Sequence, residues 1–398
     1  MKRFSVIFSA VAMTLGMASV SAHAQSAERT IKVYGFGAKS GVVRIFGLQS
    51  EAAMKAAADK INAEGGVTLG DGSKAKMVVE YLDDRCNAEE GINVLRRIAA
   101  QNDAVVAIGP TCSNVAEPLF GILQKRVGDA SDSGIQFPIY TDVAAKGGLA
   151  SISEWSFRNV PSEAAMYKSI FEWVSKTRPD LKTFWGGVEK DFAHSNATYN
   201  VMKDNAGKAG MEVLGQSEWL LADTTFSTQV REMRRANADV VAISAHPFTT
   251  CGVLKEMQRQ NVKPKLIVGL TSSSSMETLQ GCAQQAEGIV IPTSFAPVTP
   301  EAKAAAQAVA GLNANMDLHN AAAWENMFTL KKIMEEQKIM GRPETVAEDR
   351  RKMREGLAGL KTTQGLLGPV QRASDREAIK PYLFVQAKGG NWVVAHQP

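Results

Sequence analysis

Short apolar runs alternate with amphipathic stretches from residue 31 to about residue 290, and this pattern restricts the chain to a narrow class of folds. The run IKVYGFG is followed by SEAAMKAAADKINAEGG, in which Ala53, Ala57 and Ile61 recur at the spacing of one helix face. The run MVVEYLDD is likewise followed by the amphipathic stretch AEEGINVLRRIAAQ. Because strands that alternate with helices are typical of parallel sheets, the pattern predicts an α/β fold.

The alternation comes in two successive series. The second series contains KTFWGGV, MEVLGQSEW, ADVVAIS and KLIVGL, each followed by a helical stretch, so we predict two doubly wound units. Between the series, SISEWSFRNVPSEA lacks a clean period and predicts a crossover. After GIVIPTSF, three mostly helical segments run to about Leu360, and PYLFVQAKGGNWVVA predicts a hairpin that turns at Gly389 and Gly390.

The first residues have the features of an export signal. Lys2 and Arg3 precede an apolar stretch over residues 4–20, and small residues follow at 22 and 24. We therefore predict a signal peptide over residues 1–24, since the apolar run is short for a membrane span. Its removal lowers the formal net charge from +4 to +2, so binding to nucleic acid or to an anionic membrane is not indicated.

Polar residues follow several predicted strands. In open parallel sheets, ligands bind beyond the carboxyl ends of the strands, so these residues are candidates for a binding site. They are Ser113 with Asn114, Thr141 with Asp142, and residues 39–41, 191–196, 244–248 and 271–275.

Ser113 is the most informative of these candidates, because it directly follows the run VVAIGPTC. If a helix begins there, its first backbone N–H groups are unpaired and lie beside the Ser113 hydroxyl. Together these donors would bind a carboxylate. The alternative is that Ser113 is an ordinary N-cap, which needs no ligand.

The sequence gives little support for catalysis, metal or cofactor. No Gly-x-Ser-x-Gly elbow surrounds a serine, and of the five histidines only His194 and His246 lie at predicted strand-end loops. The stretch GDGSK lacks the spacing of a phosphate-binding loop. The cysteines are not clustered as zinc ligands are. We therefore predict a protein that is not an enzyme and has no cofactor and no metal.

All four cysteines lie beyond the predicted signal peptide, and an even count in an exported chain favours disulfides. Four cysteines allow three pairings. Cys86 and Cys112 each follow a predicted strand, so a bond between them would join two neighbouring loops. That assignment would leave Cys251 and Cys282 to pair with each other, and this second bond stays open at the level of the sequence.

Four stretches carry a resemblance to a known family, and they are SGVVRIFG leading to AAADKINAEGG, YLDDRCNAEEGINVLRRIAAQNDAVVAIGPTCS, FRNVPSEA, and ADTTFSTQVREMRRANADVVAIS. The chain resembles the periplasmic substrate-binding proteins of branched-chain amino-acid ABC transporters over nearly all of its mature length. This resemblance implies a type I periplasmic-binding fold, with two lobes joined by three crossovers. We expect lobe 1 to comprise residues 25–156 and 291–364, and lobe 2 to comprise residues 157–290 and 365–398.

The resemblance also implies a function and partners. It implies a periplasmic, monomeric receptor that binds a small solute between its lobes and delivers it to a membrane permease. The alternative use of such a cleft is ligand sensing through a receptor kinase or chemoreceptor. The resemblance further implies that Cys86 pairs with Cys112 and that Ser113 binds the ligand carboxylate. The matching loop, which supplies further contacts, consists of Thr141, Asp142, Val143 and Ala144.

Two positions depart from the family pattern in the second lobe. Phe192 stands where the family has a tyrosine, and Thr271 stands where it has the acidic residue that receives the α-amino group of the ligand. Asp191, Asp142 or Glu189 could replace that acid. Aromatic and histidine side chains near predicted loop ends instead suit a planar or aromatic carboxylate, or an amide. These side chains are Phe36, Phe46, Phe192, His194, His246 and Phe248.

Overall fold

The computed structural model describes Met1 and residues 29–398. Apart from Met1, the predicted signal peptide at residues 1–24 lies outside the described residues. Within the described part of the chain, no helix combines the length and apolar character needed to cross a membrane. The chain forms two α/β lobes, each built on its own sheet, so the predicted fold class is confirmed.

The first lobe is built on a six-stranded sheet. Its strands are β1 (Thr30–Gly37), β2 (Val67–Thr68), β3 (Lys74–Asp83), β4 (Ala107–Ile108), β5 (Ile139–Thr141) and β6 (Ser156–Arg158). The helices among them are α1 (Arg44–Ala63), α2 (Ala88–Ala99) and α3 (Ser113–Gly121), and a 3₁₀ turn spans Leu149–Ser151. The strand order is β2-β3-β1-β4-β5-β6, and every pair is parallel except β2 with β3.

The second lobe contains the next series of elements. Its helices are α4 (Glu163–Thr177), α5 (Ala193–Lys208), α6 (Ser227–Ala236), α7 (Pro247–Arg259) and α8 (Met276–Ala286), with a 3₁₀ turn at Thr271–Ser274. Its strands are β7 (Thr183–Glu189), β8 (Glu212–Trp219), β9 (Val240–Ser244), β10 (Leu266–Gly269) and β11 (Val290–Thr293). These five strands pair in parallel, in the order β11-β10-β9-β7-β8.

The last part of the chain serves both lobes. The helices α9 (Pro300–Ala310), α10 (Leu318–Glu336) and α11 (Val346–Gly359), with a 3₁₀ turn at Pro343–Thr345, pack on the first sheet. A small antiparallel sheet follows, formed by β12 (Thr362–Gly365), β13 (Gly368–Arg372) and β14 (Ala378–Ile379). The hairpin of β15 (Leu383–Lys388) and β16 (Asn391–His396) then adds antiparallel to β11. This hairpin turns at Gly389 and Gly390, as predicted.

The chain passes between the lobes three times, which confirms the predicted connectivity. The passages follow β6, follow β11 and precede β15. Two of them meet at Glu325 of α10, whose Oε2 lies 2.5 Å from Lys380 Nζ and accepts a hydrogen bond from Asn159 Nδ2 at 2.9 Å. This buried group ties the connecting segments to the first lobe. The lobe limits proposed from the sequence stay a prediction.

The loops that matter for binding follow the parallel strands. Because the strands of each sheet point the same way, the loops after β1, β4 and β5 collect at one edge of the first lobe. The loops after β7, β9 and β10 collect at one edge of the second lobe. The two edges face each other, and backbone N–H of Ala193 donates to Asn114 Oδ1 across the cleft at 2.8 Å.

Candidate functional site

A small cavity lies where the two loop edges meet. Its wall contains Phe46, Thr111, Cys112, Ser113, Val143 and Ala145 from the first lobe, and Phe192, His194, His246 and Ser272 from the second. The cavity volume of about 10 Å³ leaves room for about one water molecule. Any larger occupant therefore requires the two walls to move apart.

The first-lobe wall is organised by the start of α3. Ser113 is the first residue of this helix and is 1% exposed, and its Oγ accepts a hydrogen bond from the Lys146 backbone N–H at 3.1 Å. Cys112, rather than Ser113, occupies the N-cap position, and it makes no side-chain capping bond. The first N–H groups of a helix have no acceptor one turn earlier. This wall therefore presents a hydroxyl group beside a helix N-terminus, which suits an anion.

One disulfide joins two loops of the first lobe, and another joins helices α7 and α8 of the second lobe. Cys86 and Cys112 are bonded, with their Cα atoms 5.6 Å apart, and Cys251 is bonded to Cys282, with a Cα separation of 5.4 Å. The structure thus contains the pair expected from the sequence and the second pair that the sequence left open. Because Cys112 directly precedes Ser113, the first disulfide restrains the loop that presents the Ser113 hydroxyl.

Asn114 lies near the cavity but does not line it. Its Oδ1 accepts from the Ala193 N–H at 2.8 Å, and its Nδ2 donates to the Asp191 carbonyl at 3.4 Å. Both partners belong to the second lobe. The side chain therefore joins the two lobes directly, and its predicted contact with a ligand remains a prediction.

The loop after β5 contributes two side chains to the wall, one of which was predicted from the sequence. Val143 lines the cavity, whereas Thr141, Asp142 and Ala144 are buried outside it. The Thr141 hydroxyl donates to a backbone carbonyl at 2.8 Å. Asp142 Oδ2 accepts from Ser50 Oγ at 2.5 Å, and burial raises the pKa of Asp142 to about 7. These polar groups therefore face the lobe interior.

A buried carboxylate stands behind His194 in the second-lobe wall. His194 Nε2 lies 2.9 Å from Glu163 Oε1, and the hydroxyls of Thr198 and Thr271 also donate to Glu163. Burial by itself raises the pKa of Glu163, but the charge of His194 and the three hydrogen bonds lower it overall. Ser272 Oγ lies 3.5 Å from His194 Nδ1. Thr271, the position that the resemblance matches to the family's acidic residue, thus contacts a carboxylate from another element.

His246 has an equivalent partner in Glu189. Its Nδ1 lies 2.5 Å from Glu189 Oε1, while its backbone N–H, at 3.2 Å, and the Thr249 hydroxyl donate to Oε2. Burial raises the pKa of Glu189, but the charge and hydrogen bonds of His246 and the Thr249 hydrogen bond lower it overall. Glu163 and Glu189 each have three donors, and neither lines the cavity.

Aromatic rings fill much of the space between the lobes. Phe46 stacks on His319 with ring centroids 4.4 Å apart, and it lies 5.8 Å from the His246 ring. Phe192 meets His246 edge-on at 4.3 Å and packs within the core cluster of the first lobe. Phe248 is 49% exposed and lies outside the cavity wall.

Several residues at this site were missed by the sequence reasoning, among them Thr111, Glu163 and Ala145. Glu163 begins α4 directly after the first crossover, so an acidic residue in the first turn of that helix was the available signal. Ala145 extends the loop after β5 into the cavity wall, and no sequence signal marks it. Among the residues that the structure describes, no group of three or more His, Cys, Asp or Glu side chains could hold a metal ion.

Comparison with known proteins gives relatives of low sequence identity and high structural similarity. A family model described as periplasmic binding protein matches residues 30–391. The Leu/Ile/Val-binding protein homolog 8 of Brucella suis (biovar 1, strain 1330) is 23% identical over 278 residues, which cover 67% of this chain and 64% of that relative.

Two solved structures show the same architecture. The substrate-binding protein LivJ from Streptococcus pneumoniae, in complex with isoleucine, has a TM-score of 0.78 at 18% identity and covers 93% of this chain and 100% of its own. An ABC-transporter solute-binding protein from R. palustris, in complex with benzoate, has a TM-score of 0.76 at 16% identity, with coverage of 92% and 96%. Together with the family match over most of its length, these findings mean that the chain belongs to the periplasmic binding protein family.

Proposed function

We propose that this protein is the solute receptor of an ABC importer, and that its solute is a small organic acid without an α-amino group. This proposal rests mainly on the chemistry of the residues that line the cavity. Ser113 and the start of α3 lie on one side, histidines and a phenylalanine lie on the other, and none of the described wall residues is acidic. A buried ammonium group would have no carboxylate partner there, which is costly.

The carboxylate of the solute would bind at Ser113. A helix N-terminus favours a negative charge, and hydrogen bonds to a charged group contribute about 2 kcal/mol each. The Ser113 hydroxyl is 1% exposed and is held in place by the disulfide at Cys112. The donors therefore need little reordering when an anion arrives, which supports tight binding.

The second-lobe carboxylates argue against the amino-acid alternative. Glu163 lies behind Thr271, where the family places its acid, but its oxygens already accept from three side chains. Glu189 is occupied in the same way by His246 and Thr249. Of the two similar structures, the one that holds benzoate therefore offers the closer ligand chemistry.

Closure of the lobes would couple binding to delivery. A solute that contacts Ser113 on one wall and the rings on the other favours the closed arrangement, because only that arrangement makes both sets of contacts. We infer that a membrane permease recognises the closed surface, and that the predicted signal peptide directs the chain to the periplasm. The protein itself needs no cofactor for this role.

Calorimetric titration with benzoate and isoleucine tests the proposal. We expect benzoate to bind and isoleucine to bind at least tenfold more weakly. Ser113→Ala should weaken benzoate binding about tenfold, while Ser133→Ala, at an exposed loop serine, should leave it unchanged. Tighter binding of isoleucine than of benzoate would contradict the proposed ligand class. An unchanged benzoate affinity in Ser113→Ala would contradict the proposal that Ser113 binds the carboxylate.

A further inference from the structure

One ring nitrogen in the cavity wall has no hydrogen-bond partner among the residues that the structure describes. His246 is 2% exposed, and its Nδ1 is bound to Glu189 Oε1 at 2.5 Å. Its Nε2 makes no hydrogen bond with any described residue. Because His246 lines the cavity, a polar atom at this wall is left for an occupant to satisfy.

The neighbouring histidines do not place a free ring nitrogen in the cavity wall. Both nitrogens of His194 have contacts, with Nε2 at 2.9 Å from Glu163 and Nδ1 at 3.5 Å from Ser272 Oγ. His319 also has an unpartnered Nε2, but this ring is not part of the cavity wall. His246 therefore has the one free ring nitrogen among the described residues of the wall.

The carboxylate behind His246 determines what this nitrogen can bind. A carboxylate at Nδ1 keeps a proton on that nitrogen, so Nε2 of the neutral ring is an acceptor. If the ring gains a second proton, Nε2 becomes a donor instead. A hydroxyl group can both donate and accept, so it satisfies Nε2 in either state of the ring.

We propose that His246 Nε2 binds a hydroxyl group on the solute, at the end away from the carboxylate. The solute class is then a small hydroxy-substituted carboxylic acid with a planar apolar body. Phe46 and Phe192, which contact the His246 ring from either lobe, supply apolar surfaces for that body. This inference rests on the proposed function, because it assumes that Ser113 binds the carboxylate of the solute.

The test compares benzoate with its three monohydroxy isomers by calorimetry on the mature, oxidised protein. We expect at least one isomer to bind about tenfold more tightly than benzoate, because a site built around a polar group discriminates against an analogue that lacks it. In His246→Asn, the amide nitrogen replaces Nδ1 as donor to Glu189, whereas nothing replaces Nε2. The hydroxylated acid should then bind no more tightly than benzoate does.

His194→Gln is the matched control, because its amide replaces Nε2 as donor to Glu163. This variant should keep the preference for the hydroxylated acid. A ¹⁵N NMR titration of the wild-type protein gives a readout that needs no variant: the His246 Nε2 resonance should shift more with the preferred isomer than with benzoate. This measurement decides the matter if His246→Asn does not fold.

The outcomes separate this inference from the proposed function. If benzoate and all three isomers bind equally, or if His246→Asn keeps the preference, the hydroxyl assignment is overturned while carboxylate binding stands. An unshifted His246 resonance has the same meaning. If none of the four acids binds while isoleucine does, both the proposed function and this inference fail.

Discussion

Replacing Asp142 with asparagine should stabilise the protein at neutral and alkaline pH. Asp142 is 1% exposed, its Oδ2 accepts from Ser50 at 2.5 Å, and its Oδ1 has no hydrogen-bond partner. Burial raises its pKa from 3.8 to about 7, and the charge of Asp84 adds to this effect, although hydrogen bonds from Ser50 and the backbone oppose it. The amide oxygen of an asparagine at this position can accept the same bond from Ser50 without carrying a charge into the interior.

The sign and size of the effect follow from linkage. Since the folded pKa of Asp142 exceeds the unfolded value, the native state binds more protons between about pH 4 and 7, and the free energy of unfolding falls as pH rises through that window. A shift of about three pKa units corresponds to about 4 kcal/mol, which we treat as an upper limit. We therefore expect Asp142→Asn to gain about 2–4 kcal/mol at pH 8 and little at pH 4.5.

Urea unfolding at pH 4.5, 6 and 8 measures this difference. The variant should show a weaker fall in the free energy of unfolding between pH 4.5 and 8 than the wild type does. Some fall should persist, because burial also raises the pKa of Asp84 to about 7. Asp59→Asn, at an exposed position, is the control and should match the wild type. A variant less stable than the wild type at pH 8 would refute the reasoning, since it would mean that the Asp142 carboxylate stabilises the fold.

Three further predictions concern the cleft and the second lobe. Asn114→Ala removes the 2.8 Å hydrogen bond between the lobes, so the radius of gyration from small-angle X-ray scattering should increase. An unchanged radius would mean that this hydrogen bond does not hold the lobes together. Replacing both Cys251 and Cys282 with alanine opens a loop with a separation of 31 residues and should lower the free energy of unfolding, measured by calorimetry, by about 3 kcal/mol. A decrease below about 1 kcal/mol would mean that this disulfide does not stabilise the fold. Hydrolysis of p-nitrophenyl esters should not exceed the buffer rate, because the 3.5 Å hydrogen bond between Ser272 Oγ and His194 Nδ1 is longer than the usual distance between a nucleophile and its general base. Turnover abolished by Ser272→Ala would contradict this.

The arrangement of elements could be predicted because several of the parallel strands, among them β5, β9 and β11, are buried along their whole length. Such strands have continuous apolar runs, for example ADVVAIS for β9, and a turn or helix signal separates each run from the next. The mixed edge of the second sheet was harder to foresee. The β15–β16 hairpin was predicted, but its pairing with β11 depends on a contact between segments far apart in sequence.

The candidate site could be located from the sequence, but its side-chain directions could not. Ser113 and His246 follow their strands closely, so their positions come from the parallel topology. Asn114 and Asp142 neighbour wall residues, yet one bonds to the other lobe and the other faces Ser50. Such directions depend on tertiary partners. The same limitation hid Glu163, which meets His194 only because α4 packs beside α5.

The helices that cover the first sheet also determine when that lobe can fold. Residues of β1 such as Ile31 and Val33 share one core cluster with Met327 and Leu330 of α10, which follows the five parallel strands of the second sheet in sequence. A chain that emerges from its amino end therefore cannot complete the first core until nearly all of it has been synthesised. Contacts between such distant segments slow folding. That delay favours the proposed export, because a chain that has not yet formed its core can still pass through a translocation channel in the unfolded state.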